Sequence, residues 1–364
     1  MAVKKLAIRE LVEFILRSGS INEGKSSNHT PQEGARIHRK LQKEAGPDYQ
    51  KEVWLKKVLE IAETTVQIEG RADGIYRKED QVFIDEIKTS ETPFEELEPG
   101  IINLYFYQAM VYAYIYSEQE ELTEISTRLT YFQTTEEKIT REIRVFTFVE
   151  LTDFFNDLIE RYENWLVFQI QWRKTRNDSL KSLTFPFDSY RAGQRELAAA
   201  VYKTIHAQQK LFVEAPTGTG KTMSTLFPTF KAMGEELGER IFYLTAKTIT
   251  RQVAEETVTK LTKKGARIKS VTITAKDKIC FLTERNCTPE HCPFAKGYYD
   301  RVNDGLWDML NNEDQYTRPV IEKYAQKHEL CPFELSLDVS RFCDLVIGDY
   351  NYLFDPTVYL RRFF

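Results

Sequence analysis

The sequence predicts an α/β protein with two domains in series: a mixed α/β domain, then a phosphate-binding α/β domain carrying a cluster of cysteines. Three observations support this. Up to about residue 180, strand-like and helical patterns alternate. The stretch from Leu211 to Thr222 reads LFVEAPTGTGKT, an apolar run followed by a glycine turn and a helical pattern. All five cysteines lie between Cys280 and Cys343, a clustering that, without a secretion signal, points to a metal or cluster site in a reducing compartment. The 364 residues suffice for two or three domains. A content of 42% hydrophobic and 29% charged residues suits packed, water-soluble cores. The net charge of −5 gives no bulk argument for nucleic acid, so that argument must rest on local patches. The N-terminus, MAVKKLAIRELVEF, carries charges inside its apolar pattern and is no signal peptide. The longest apolar stretch, 101–116, contains Asn103 and Gln108 and is too short for a bilayer. The expected location is cytoplasmic, with no membrane partner.

Residues 4–17 repeat apolar groups at helical spacing (Leu6, Leu11, Phe14, Ile15) and predict an amphipathic helix. A polar loop covers 22–29. Thr30-Pro31-Gln32-Glu33 then opens a helix, with Thr as cap, Pro first and Glu three after the cap. Strands are expected at 51–55, 65–76 and 81–88, the last two joined by a charged turn as a hairpin. A long apolar helix at 99–116, strands at 124–133 and 138–147, and an aromatic-rich helix from 148 to about 174 follow. The polar stretch 174–182 reads as a linker or frayed helix end.

The chemistry of the first half sits in GRADGIYRKEDQVFIDEIKTS. Glu86 and Lys88 are two apart on one strand, so they share a face opposite Asp73 on its neighbour. Asp85 points the other way. Two such acids can hold Mg²⁺ or Mn²⁺, with a lysine beside the attacking water or the phosphate. A surface hairpin of alternating charge is the competing account. The order His38 (in EGARIHRKL), Asp73, Glu86-Ile87-Lys88, then Gln108-x-x-x-Tyr112 resembles the RecB-like branch of the PD-(D/E)XK nucleases. The resemblance implies a nuclease-like mixed α/β fold over 1–180. It also implies that His38 is a further metal ligand and that Gln108 and Tyr112 lie by the active site near DNA. Some RecB-like nucleases hold an iron–sulfur cluster on cysteines; with none before Cys280, this domain should lack one.

In the second half, Leu211, Phe212 and Val213 suit a buried strand. Pro216, Thr217, Gly218, Thr219, Gly220, Lys221 and Thr222 suit a phosphate cradle. Glycines let backbone N–H groups converge on an anion at a helix N-terminus. Lys221 would reach the β- and γ-phosphates of a nucleotide, and Thr222 would hold its Mg²⁺. With Ala215 at the usual first glycine, the form resembles the Walker A motif of superfamily 2 helicases. Phe185 to Gln194, with Arg191 and Gln194 as an R-x-x-Q pair, resembles the adenine-recognising segment of the XPD/DinG group; an amide such as Gln194 can donate to and accept from adenine. Thr245, Lys247 and Thr248 match the position where related helicases contact the DNA backbone. From Lys247 to Lys278 there are nine Lys/Arg against three Asp/Glu, a patch suited to phosphates, or else a solvated helix.

Cys280, Cys287, Cys292 and Cys331 contain no C-x-x-C pair of the zinc-knuckle kind. Their position and contexts (KDKICFLTE, CPFAKGYYD, CPFEL) resemble the iron–sulfur insertion of XPD/DinG helicases, which implies a 4Fe–4S cluster on four thiolates. Zinc, with His291, and unliganded thiols stay as alternatives. Cys343 reads as a core thiol before the strand at 344–348.

The resemblances together imply a RecA-like first motor domain at 181–276, an iron–sulfur module at 277–340 and a return strand at 341–364. CDLVIGDYNYLFDP resembles the segment upstream of a Walker B box, and no D-E-A-H follows, so the expectation is the front part of a longer helicase. The implied function is an ATP-dependent DNA helicase fused to a metal-dependent nuclease, acting on DNA with a single-stranded stretch. The implied cofactors are ATP, Mg²⁺ or Mn²⁺ and the cluster. An ATP-dependent DNA clamp with a non-cleaving nuclease-like domain, and a nucleotide enzyme of another class, are the rivals. The sequence names no protein partner.

Overall fold

The computed structural model describes residues 3–22, 31–216 and 218–355, with the side chains of Pro31 and Thr248 left aside. Thr30, the expected helix cap, and Thr217 of the phosphate cradle lie outside the described residues. The chain forms two compact units. One is Met1–Phe168 with Cys287–Asp300, and the other is Gln169–Asn286 with Arg301–Phe364. The two units divide near residue 168, and residues 277–340 fall partly in each.

The first unit contains β1 (Lys4–Ala7), α1 (Ile8–Leu16), α2 (Pro31–Glu44), β2 (Gln50–Ile61), β3 (Thr64–Lys78), β4 (Gln81–Ser90), α3 (Pro99–Glu120), β5 (Glu124–Gln133), β6 (Lys138–Thr147) and the start of α4 (Phe148–Ser182). Its sheet runs β1-β3-β4-β5-β6, with β2 also on β3. The β3–β4 and β5–β6 pairs are antiparallel, and β4–β5 is parallel. The hairpin alternation is as expected, and its centre is apolar: Ile75, Ile84 and Ile87 are at most 2% exposed. Residues 4–7 are a strand and not the first turn of a helix. Their N–H and C=O groups pair in register with Val66–Glu69, and that ladder outweighs the helical spacing of the apolar groups.

Cys287–Asp300 joins this unit through backbone bonds. The Ile21 N–H donates to Ala295 O (3.0 Å) and the Tyr299 N–H to Gly19 O (3.0 Å). Arg17 lies 3.5 Å from the Tyr299 ring centre.

The second unit takes the end of α4, then α5 (Gln194–His206), α6 (Lys221–Gly234), β7 (Ile241–Thr245), α7 (Thr248–Thr262), β8 (Ser270–Thr272), α8 (Lys276–Ile279), α9 (Tyr298–Asn312, from Arg301 on), β9 (Gln315–Tyr316), α10 (Arg318–Lys327), α11 (Pro332–Val339), β10 (Leu345–Asp349) and α12 (Asn351–Phe354). The sheet order is β7-β10-β8-β9, all parallel. Leu226, Phe230, Val258, Leu261, Ile268 and Leu345 are among its buried core. Two expectations fail here. Residues 174–182 continue α4 as helix, because Leu180 is buried and Arg176 pairs with the buried Asp344 at 2.8 Å. Leu211, Phe212 and Val213 form no strand and are 40%, 93% and 51% exposed. No strand among the described residues pairs with them, and an apolar run without a ladder has its backbone in water. Beside them lies a mainly apolar cavity of about 630 Å³, lined in part by Val201, Ile205, Met233 and Ile241.

Candidate functional site

The β3–β4 ladder runs from Lys78↔Gln81 to Gly74↔Asp85 and stops. At the next residues the strands part, and there the expected acids stand. Asp73 Oδ2 accepts the Ile87 N–H at 2.7 Å, so the carboxylate takes a donor that the parted ladder leaves over. Its Oδ1 lies 3.4 Å from His38 Nδ1 on α2. Glu86 is 5% exposed, and its Oε1 accepts from Lys88 Nζ at 2.6 Å. Lys88 also donates to Gln108 Oε1 on α3 at 3.0 Å. One turn further along α3, Tyr112 is buried with its hydroxyl over Gly70; a Cβ there would meet that oxygen at 2.6 Å. All six expected residues thus converge. Asp85 faces away from them, as alternation requires, and pairs with Arg128.

Burial dominates the electrostatics. It pushes the Glu86 carboxyl up to about 7, with Asp73 adding to the rise and Lys88 opposing it. Burial works against the charge of Lys88 as well, yet Glu86 and Asp73 hold that lysine above its ordinary value. Burial, Glu86 and Asp73 also raise the Tyr112 hydroxyl, which stays neutral. The site therefore offers oxygen donors and a retained cation, in surroundings that strengthen charge interactions.

Other residues completing the site escaped the sequence reading. Gln42 Nε2 donates to Asp73 O (2.9 Å) and to Glu52 Oε1 (3.0 Å). The Tyr105 ring centre lies 5.1 Å from Lys88 Nζ. Its place three before Gln108, on the same helix face, is the signal that could have found it.

Among the described residues, no three His, Cys, Asp or Glu side chains are grouped so as to hold a metal ion. Asp73 and Glu86 still supply hard oxygen donors that fit Mg²⁺ or Mn²⁺, and His38 adds a nitrogen beside Asp73. The cysteines are not gathered in this way. None is in a disulfide; Cys280 and Cys331 belong to the second unit, Cys287 and Cys292 to the first. Burial pushes the Cys331 thiol up to about 11, so it is protonated at neutral pH. Cys343 is 3% exposed and its thiol donates to Val339 O at 3.3 Å, as expected for a core thiol.

In the second unit, Gly218 and Gly220 have φ of +87° and +71°, the left-handed region that glycine adopts without cost. Lys221 Nζ is turned back onto Ala215 O (2.9 Å) and Pro216 O (2.8 Å). The expected adenine pair reaches the cradle. Arg191 donates to Gly218 O at 2.8 Å, and a Cβ on Gly220 would meet the Gln194 amide nitrogen at 2.5 Å. Gln194 Oε1 in turn accepts the Arg191 N–H. Tyr243 on β7 donates to the Thr222 hydroxyl (3.3 Å), a contact the sequence did not show.

Of the three expected DNA contacts, Lys247 is exposed. Thr245 is buried and donates to Lys247 O; the side chain of Thr248 lies outside the described residues. The basic patch is partly spent internally. Lys269 is 1% exposed and bonds Leu310 O, Glu313 O and Asp314.

The family model of the PD-(D/E)XK nuclease superfamily matches residues 22–296. The chain belongs to that superfamily. The region that carries its acid-x-lysine motif is thus a PD-(D/E)XK domain, and residues 245–362 match a second family, DEAD_2, the XPD-like helicases. Among curated relatives, the "Regulator of telomere elongation helicase 1 homolog" of Caenorhabditis elegans is 23% identical over 222 residues, half of this chain and 22% of that protein. The "General transcription and DNA repair factor IIH helicase subunit XPD" of Dictyostelium discoideum is 20% identical over 205 residues, 48% of this chain and 26% of that protein. The chain thus spans about a quarter of the length of these relatives. A solved structure titled "XPD_Helicase" matches at 16% identity with a TM-score of 0.33, over 47% of this chain and 30% of that one, a likeness too slight to argue from. No helix among the described residues is long and apolar enough to cross a membrane.

Proposed function

We propose that the chain joins a Mg²⁺- or Mn²⁺-dependent DNA nuclease to an ATP-dependent DNA helicase motor of the XPD/DinG type, working on DNA with a single-stranded stretch. The observation that carries the nuclease half is the convergence of His38, Asp73, Glu86, Lys88 and Gln108 where two core strands part. A divalent ion bound there supplies Lewis acidity toward the scissile phosphate and acidifies water. Asp73 and Glu86 hold it, with His38 beside Asp73. Lys88, kept charged by Glu86 and oriented by Gln108, stabilises the negative charge that builds on the phosphate. Buried Tyr112 closes the wall without ionising.

In the motor half, Gly218, Gly220 and Lys221 receive the phosphates of ATP, Thr222 its Mg²⁺, and Arg191 with Gln194 the adenine. Pro216, Thr217 and Thr219 belong to the same nucleotide-binding loop, and exposed Lys247, between Thr245 and Thr248, meets the DNA backbone. Cys280, Cys287, Cys292 and Cys331 remain proposed 4Fe–4S ligands on their sequence contexts alone. Protein purified without oxygen should carry about four irons per chain, and stoichiometric zinc without iron would remove that part.

The nuclease is tested on single-stranded and duplex DNA with each metal. Cleavage that needs metal and disappears in Asp73→Ala supports the reading. A folded chain that binds DNA but cuts none with either metal would make the domain a non-cleaving clamp.

A further inference from the structure

We propose that Asp85 is a positioning residue of the nuclease site, holding the strand that carries Glu86 and Lys88 from its opposite face. This rests on the nuclease reading above. Asp85 is 2% exposed, and its two oxygens receive four donors. Oδ1 accepts from Arg128 Nε at 2.9 Å and from the Thr130 hydroxyl at 2.7 Å. Oδ2 accepts from Arg128 Nη2 at 2.7 Å and from the Tyr49 hydroxyl at 2.8 Å. A buried carboxylate satisfied this completely is directional, because any shift of the strand breaks several charge-assisted bonds at once.

The placement of these donors matters more than their number. Arg128 is the register partner of Asp85 on β5. Gly74 is its partner on β3, and the Tyr49 ring passes so close over Gly74 that a Cβ there would lie 1.9 Å from it. One side chain therefore ties β4 to β5 and to Tyr49, whose ring packs over β3 at Gly74, at the last paired residue before the ladder opens. Glu86 is the next residue along β4, and Asp73 the next toward the opening on β3. Behind the brace is a cavity of about 230 Å³ bordered by Leu41, Tyr76, Arg128 and Arg141. On the side facing the cavity the strand has no apolar core behind it, so the bonds to Asp85 and the Tyr49 ring against Gly74 hold it. Alternation does the rest: with Asp85 fixed on one face, Glu86 and Lys88 are fixed on the other. A small displacement of such groups can cost about a hundredfold in rate.

Thr130→Val removes one donor at constant shape, and Thr130→Ser restores the hydroxyl. In the full chain, per folded molecule, Thr130→Val should lower kcat for DNA cleavage about tenfold and leave KM for DNA near the parental value. It should also weaken Mn²⁺ binding, measured by calorimetry without DNA, several-fold, and Thr130→Ser should behave as the parent. If Thr130→Val lowers only the melting temperature, with parental kcat and Mn²⁺ affinity, the brace is structural and the proposal is wrong. Asp73→Asn is run beside it. If Asp73→Asn binds Mn²⁺ and cuts as the parent does, the nuclease reading itself has failed, and the brace with it.

Discussion

The two candidate sites are built to different degrees of completion. In the PD-(D/E)XK domain, Asp73, Glu86 and Lys88 stand on central strands of a paired sheet, and Gln108 comes from a buried helix face. Each group is already bonded to another member of the site or to the backbone beside it. In the helicase-like unit, the segment leading into the phosphate cradle has no strand pairing, and Phe212 is 93% exposed. The cradle's lysine is bonded to the carbonyls of its own loop. A site carried by core strands is formed before its ligand arrives. A site carried by a glycine loop with an unpaired approach must rearrange to receive one.

If the first site is set by close packing, a single methyl group should disturb it. Gly74→Ala would drive a Cβ into the Tyr49 ring, and such overpacking costs about 3 kcal/mol. Chemical denaturation should show that loss, and parental stability would mean that the ring moves freely and the packing is looser than described.

The second site makes the opposite prediction. Among the described residues Lys221 bonds only Ala215 O and Pro216 O, neither buried, so Lys221→Ala should leave folding stability within about 0.5 kcal/mol. It should weaken ATP–Mg²⁺ binding about ten- to a hundredfold, the worth of a charged hydrogen bond or two. Titration with a fluorescent nucleotide reads this, and unchanged affinity would remove Lys221 from the cradle.

The smallest expected effect concerns pH. Glu86 has a folded pKa raised from 4.5 to about 7, so the fold binds a proton there more readily than the unfolded chain. That preference makes the fold lose stability as pH rises from about 4.5 through 7. Glu86→Gln, which mimics the protonated acid, should be more stable than the parent at pH 8 by about 1 kcal/mol in the presence of a chelator, a fraction of the full shift. The gap should close below about pH 4.5. A Glu86→Gln variant less stable at pH 8 would show that the Lys88 ion pair outweighs burial.

The better-formed site was also the more legible one. A period of two along 81–88 is enough to put Glu86 and Lys88 on one face and Asp85 on the other, and His38, Gln108 and Tyr112 followed from the spacing of the family motif. What escaped was set by partners distant in sequence. Residues 4–7 are a strand because Val66–Glu69 offers a ladder. Helix α4 runs on through 174–182 because Arg176 meets Asp344, 168 residues away. Gln42 reaches the backbone of Asp73 across 31 residues. Leu211–Val213 shows the converse: an apolar run predicts a strand only where another strand pairs with it.

The central claim is that Asp73, Glu86 and Lys88 form a metal-dependent nuclease site independent of the nucleotide cradle. The most direct measurement is cleavage of labelled DNA in Mg²⁺ or Mn²⁺, without ATP, by the parent, Lys88→Ala and Lys221→Ala side by side. The parent and Lys221→Ala should cut alike, and Lys88→Ala should be slower by about a hundredfold or more at equal DNA binding. Parental cleavage by Lys88→Ala would contradict the claim.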